Sequence, residues 1–221
     1  MHLFLGDAGG DELGPSRAAV TCLITEDVVR VRTELGKAAE DWAHRRGVDL
    51  AIRHRVGERG FDDGLDDDVT RERAFDALAV AEIRAYVAVG ARLAGEAPAA
   101  LRERLLRTIL VDRFRKRGVH TVAIHARPGP FDRAALPALV TSCFHEAKTS
   151  LGAAPSVIWE QPGPGSPLAL ADYIAMIVRQ RMARPDSPDP FARAFERVRS
   201  KVAFVWDVDA RVSYHRRSPL P

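Results

Sequence analysis

Only two cysteines, Cys22 and Cys143, occur in the 221 residues, and both lie in apolar segments. They are too few for a disulfide framework, and no metal-type Cys spacing exists. Lysine is scarce as well, limited to Lys37, Lys116, Lys148 and Lys201, so the formal charge of +3 rests almost wholly on arginine. Arginine suits forked contacts to phosphate, although abundant Arg and Ala also accompany GC-rich coding. No apolar run of about 20 residues and no secretory apolar core is present. The expectation is a cytoplasmic protein with reduced thiols and no membrane partner. Gly-x-Ser-x-Gly and Gly-Lys-Ser/Thr are absent, and His145-Glu146 lacks the second His of a zinc-protease helix, which removes those hydrolase and triphosphatase routes. There is no repeat or low-complexity block. At 46% hydrophobic the chain can bury a sizeable core, folding alone or as a homo-oligomer.

What is present is most distinctive at Leu168-Ala-Leu-Ala-Asp172-Tyr-Ile-Ala-Met-Ile-Val178, a stretch apolar on every side except for one carboxylate. A helix that is hydrophobic all round is buried, so Asp172 must be paired, protonated or bound to a cation. The segment Gln161-Pro-Gly-Pro-Gly-Ser-Pro167 launches it, with Ser166 as N-cap and Pro167 at the first helical position. This puts Asp172 in the second turn, too deep to cap. Ala169, Ala171 and Ala175 let a strand approach closely, so Asp172 is expected between helix and strand ends.

At the other end, His2 to Leu5 reads as a strand, and Asp7 falls at its exit within Gly6-Asp7-Ala8-Gly9-Gly10-Asp11-Glu12. Asp and Gly also favour tight connections, and Arg17 to Thr25 reads as a second strand, so Asp7 is either a turn residue or a functional carboxylate.

Together these segments resemble a known family. Met1-His-Leu-Phe-Leu-Gly-Asp-Ala-Gly-Gly10 is similar to the opening strand and Asp-Glu-Ser-Gly of the proteins grouped as domain of unknown function 3800. Ser166-Pro-Leu-Ala-Leu-Ala-Asp-Tyr-Ile-Ala175 resembles their closing Leu-Gln-Leu-Ala-Asp-Leu-Ile-Ala helix. The resemblance extends to about residue 182. It implies a ribonuclease-H-like fold with acids on the first strand and last helix that could hold divalent metal. The chain departs from the pattern: an ungapped match puts Gly6 at the family's first Asp and Asp7 at its Glu, whereas a one-residue shift restores Asp7 to the Asp position. His125, in Val119-His-Thr-Val-Ala-Ile-His-Ala-Arg127, stands where the family often has an acid.

Elsewhere helical spacing covers Thr25 to Arg46, Val69 to Glu82, Ala97 to Lys116 and Phe131 to about Leu151. Strands are expected at Val48 to His54, Ala85 to Ala91, Val119 to His125 (a central strand) and Pro155 to Glu160. The pattern predicts an α/β, ribonuclease-H-like mixed sheet with helices on both faces. Residues 1–183 form that domain, and 184–221 form a proline-rich linker, a helix from Phe191 to about Val202 and a tail. The acidic run Asp62-Asp63-Gly-Leu-Asp66-Asp67-Asp68 lacks calcium-loop spacing and reads as a solvated loop and helix cap. His54 and His125, near strand ends, are rim residues or ligands. Glu160 is a rim acid, or a partner that the following loop returns to Asp172.

Two functions follow. One is a Mg²⁺- or Mn²⁺-dependent nuclease with Asp7, Asp172 and Glu160 catalytic, and with Asp7, Asp172 and His125 holding metal. The other is a catalytically degenerate module of the same fold that binds nucleic acid or protein through arginine.

Overall fold

The computed structural model describes residues 1–8, 17–117, 121, 123–148, 153–161, 163–185 and 187–220. Gly9 to Glu12, the start of the strand expected from Val119, and Leu151 lie outside the described residues. The elements in chain order are β1 (His2–Ala8), β2 (Ala18–Thr25), α1 (Val28–Ala43), α2 (Leu50–Arg59), α3 (Asp68–Val80), β3 (Arg84–Gly90), α4 (Pro98–Arg117), β4 (Ala123–Ala126), α5 (Ala135–Glu146), β5 (Ser156–Trp159), α6 (Pro167–Ala183), α7 (Pro190–Val198), β6 (Val202–Asp207) and β7 (Val212–His215).

The seven strands form one mixed sheet in the order β5-β4-β1-β2-β3-β6-β7. β1 pairs antiparallel with β2 and parallel with β4, β2 pairs antiparallel with β3, and β5 lies parallel to β4. This is the expected ribonuclease-H-like mixed sheet, with β6 and β7 added beyond β3. Its central strands β1, β2 and β3 are mostly apolar because both faces are covered there. On one face Phe4, Ala8, Ala19 and Leu23 meet α1, α2, α3, α6 and α7. On the other, Leu3, Leu5, Val20 and Cys22 meet α4 and α5. The alternation along β1 is the two-residue period of a strand. Both cysteines are free and buried, and burial pushes the Cys22 thiol up to about 12.

α6 lies across β1 and starts as its sequence predicts: the Ser166 hydroxyl accepts from Leu168 N at 3.3 Å, and Pro167 occupies the first turn. A Cβ built on Gly6 would stand 2.3 Å from Ala171 C and 2.5 Å from Asp172 N. The backbones of strand and helix therefore touch, and no side chain fits at residue 6. Gly6 therefore cannot carry an acid, and Asp7 is the first carboxylate of the strand.

Three expectations are corrected. Val48 to His54 is not a strand: Asp49 caps α2 by accepting from Ala51 N at 2.8 Å, and burial follows the helical repeat, with Val56 inside and Leu50 exposed. The alternation over a few residues was shorter than the helical period that begins there. The strand expected at Val119 to His125 is described only as the four-residue β4, second from an edge rather than central. The segment after Val198 is not a tail. The β-branched and aromatic run Val202-Ala-Phe-Val-Trp206 pairs with β3, and β7 folds back on it, so the sheet continues past the expected boundary at 183.

Gly6→Ala should lower stability by about 3 kcal/mol in urea unfolding, because the added Cβ meets the unyielding backbone of α6. Gly36→Ala, in mid-α1 with open space at its Cβ, should raise it by about 0.5–1 kcal/mol.

Candidate active site

β1 outruns its neighbour. Its pairing with β4 ends at Phe4, opposite His125, whereas β1 itself continues to Ala8. The N–H of Asp7 is therefore left without a ladder partner on that side, and it donates to Asp172 Oδ1 at 2.8 Å. A residue from the first strand and one 165 positions later are joined directly, where β1 and β4 both deliver their C-terminal ends.

Arginines from three elements surround the pair. Arg102 on α4 donates through Nε to Asp7 Oδ2 at 2.9 Å. Arg127, immediately after β4, lies 3.3 Å from Asp172 Oδ2. Arg179, two turns along α6 from Asp172, donates to the carbonyl of Ala8 at 3.3 Å. Among the described residues Asp7 Oδ1 is buried without a hydrogen-bond partner.

Asp63, in the loop between α2 and α3, is a third carboxylate in the same field. Its loop is anchored by Asp66, whose buried carboxylate accepts from Asp62 N at 2.9 Å and is also bonded to the Tyr173 hydroxyl and Arg55. Tyr173 adjoins Asp172, so the anchor carries Asp63 toward the site. The acidic run is thus divided by task. Asp67 caps α3 through Thr70 N at 2.8 Å, Asp66 anchors, Asp62 closes a turn on Gly64 N at 3.0 Å, and half-buried Asp63 interacts electrostatically with Arg127, Asp7 and Asp172. The reading as a solvated loop and helix cap holds for Gly64, Leu65, Asp67 and Asp68, which are exposed, and fails for buried Asp66.

Burial decides the electrostatics. It raises the carboxyl of Asp172 well above the ordinary value, opposed by Arg127 and reinforced by Asp63 and Asp7. Asp7 is raised by burial against the pull of Arg102, and Asp63 is raised by burial against the pull of Arg127. Burial also lowers Arg179, which Asp63 and Asp7 push back up. Desolvation therefore outweighs three guanidinium neighbours.

The other expected site residues form a second group. His125 is buried, lies against Phe4 with ring centroids 4.4 Å apart, and is bonded to Glu160 Oε1 at 2.6 Å. A carboxylate only accepts, so His125 Nδ1 donates, and His125 Nε2 shares a hydrogen bond of 2.9 Å with His2 Nδ1. Arg32 on α1 donates to the same Glu160 oxygen at 2.5 Å. Glu160 thus turns to His125 and Arg32 rather than returning to Asp172. Phe4, the register partner of His125, precedes Asp7 by three residues, about 10 Å along a strand. His54 is exposed on α2, beside Glu58, and joins neither group.

Sequence reading missed Asp63, Arg102, Arg127 and Arg179. Arg127 at a strand end was the one available signal, and the others depend on how helices and loops dock. Among the described residues no three His, Cys, Asp or Glu side chains are grouped closely enough to hold a metal ion, and no helix is long and apolar enough to cross a membrane.

No protein-family model matches the chain, and no curated protein is similar to it. A chain of the solved PCNA:RNase HII complex from Archaeoglobus fulgidus is similar at 14% identity, over 87% of this chain and 83% of that one, with a TM-score of 0.39. The strand order, rather than that likeness, defines the fold class.

Asp7, Asp63 and Asp172 hold protons more tightly folded than unfolded. Their contribution to stability is therefore complete below the ordinary carboxylate value and is lost as pH rises through their raised folded values. Asp172→Asn should raise the urea midpoint at pH 7.5, and that gain should vanish near pH 4. A gain that persists unchanged at pH 4 would mean that protonation of Asp172 is not its source.

Proposed function

We propose that the chain is a metal-dependent phosphodiesterase of the ribonuclease-H-like type that acts on nucleic acid at the ends of β1 and β4. We further propose that it is a distant relative of the domain of unknown function 3800 proteins. One observation carries the reading: Asp7 and Asp172, brought together from opposite ends of the chain, are kept out of water at a cost that their arginines do not cancel. Carboxylates held in that state are typical of functional sites.

The donor chemistry fits a hard divalent cation. Mg²⁺ and Mn²⁺ take oxygen ligands, and Mg²⁺ is commonly held by one or two carboxylates while water and substrate phosphate complete its shell. A three-ligand protein cage is therefore not required. Asp7, through its unpartnered Oδ1, and Asp172 would hold the ion, with Asp63 as a third carboxylate at the rim. When bound, the ion would lower the pKa of water and offset charge on the phosphate oxygens. Arg102 and Arg127 would exchange their carboxylate contacts for phosphate, which the guanidinium fork matches equally well. His125 and Glu160 would act as positioning residues, fixing the start of β1 against β4 through His2 and Arg32.

A second reading is favoured by the same arginines. Because Arg102 and Arg127 engage both aspartates, the chain would instead be a degenerate module that binds nucleic acid or protein without cleaving it.

Purified protein incubated with single- and double-stranded DNA and RNA should cleave only with Mn²⁺ or Mg²⁺. The rate should fall about 100-fold or more in Asp7→Asn and in Asp172→Asn, the loss expected when several kcal/mol of charge stabilisation is removed. No divalent-ion binding by calorimetry, together with no cleavage of any of the four substrates in Mn²⁺ or Mg²⁺, would falsify the enzyme reading and leave the module.

A further inference from the structure

The hairpin of β6 and β7 carries groups that the aspartate site does not use. Phe204 and Trp206, two residues apart, point to the sheet face that α4 covers nearer the centre, whereas Val205 points to the α6 and α7 face. Cross-strand pairing completes a row of rings: Tyr86 of β3 is the register partner of Phe204, and His215 of β7 opposes it from the other side. Ring centroids are 4.4 Å apart for Phe204 and Trp206, 5.4 Å for Phe204 and His215, and 6.5 Å for Tyr86 and Trp206. All four rings are half-buried rather than sealed.

Cations border the row. Arg113 lies 3.7 Å over Tyr86 and Lys116 lies 5.7 Å from the Phe204 ring, both tied to Asp112. Arg211 at the hairpin turn and Arg217 just past β7 are exposed and have no ion pair among the described residues. The acids of the hairpin are already engaged: Asp207 by Arg17 at 2.5 Å, and Asp209 by Ala91 N at 2.6 Å. Flat apolar rings with uncompensated guanidinium groups at both ends match a ligand that is aromatic and polyanionic together. A neutral sugar would leave the arginines unused, and a duplex hides its base faces.

We propose that the β6–β7 face is a stacking platform for single-stranded nucleic acid, with bases on the Phe204–Trp206 row and phosphates on Arg211 and Arg217. The platform does not depend on cleavage at Asp7 and Asp172, and it can be tested with that chemistry switched off.

The experiment is fluorescence anisotropy of labelled oligothymidylate, oligouridylate and a duplex of equal length, all in chelator. Both single strands should bind more tightly than the duplex. Phe204→Leu and Trp206→Leu, which keep apolar bulk but remove the ring, should each weaken single-strand binding about tenfold, within the range known for base stacking on aromatic residues. Arg211→Gln with Arg217→Gln, at exposed positions that leave packing untouched, should reduce the slope of log affinity against log salt by about one per arginine. Asp172→Asn should bind like the parent. Duplex bound as tightly as single strand overturns the proposal. Parent-like binding in the arginine double variant does so too, even if a ring variant fails to fold. Loss of binding in Asp172→Asn alone would move the contact to the aspartate site and equally overturn it, while leaving the phosphodiesterase reading to its own metal-dependent assay.

Discussion

The approach of β1 to α6 at Gly6 is the contact on which the rest of the molecule depends. With no Cβ at that position the strand lies against the helix backbone at Ala171 and Asp172, and only at that separation can Asp7 N reach Asp172 Oδ1. The same closeness lets one mostly apolar helix cover the centre of a mixed sheet, so core packing and site assembly are a single event. A larger residue at 6 would open both. The small side chains of Ala169, Ala171 and Ala175 serve the same end from the helix side.

A buried meeting of carboxylates is expensive, and the fold meets that expense with arginines drawn from α4, the end of β4 and α6. Their attraction falls short of the desolvation penalty, since Asp7, Asp63 and Asp172 all remain raised. Selection for stability alone would favour apolar residues at these positions, because well-packed hydrophobic replacements of buried ion pairs are often neutral or stabilising.

The molecule divides its polar chemistry by place. His2, His125, Glu160 and Arg32 tie the edge of the sheet near β5 to α1, on the α6 face. Asp66 ties the loop after α2 to α6 through Tyr173. Neither group carries the features of the Asp7 and Asp172 pair, yet each fixes an element that the pair needs: the first holds the strands whose ends form the site, and the second holds the loop that brings Asp63.

The chain alone determined the α/β class, the buried α6 with its Ser166 cap, and the two aspartates as its most informative acids. Those features are written in local pattern: an apolar helix with one charge must be buried, and Ser166 followed by Pro167 caps and opens it. It also determined the absence of a disulfide framework. Tertiary structure decided what local pattern does not encode. Val48 to His54 alternates like a strand but is capped and packed as a helix, and the run from Val202 becomes sheet because β3 offers it an unpaired edge. Glu160 turned to His125 because Arg32 lies on that side. Asp63 was indistinguishable from its acidic neighbours until Asp66 and Tyr173 pinned the loop. Arg102 and Arg179 became site residues only through the docking of their helices. Burial of a charge is a property of the whole fold, set by which surfaces meet, and no sequence window contains it.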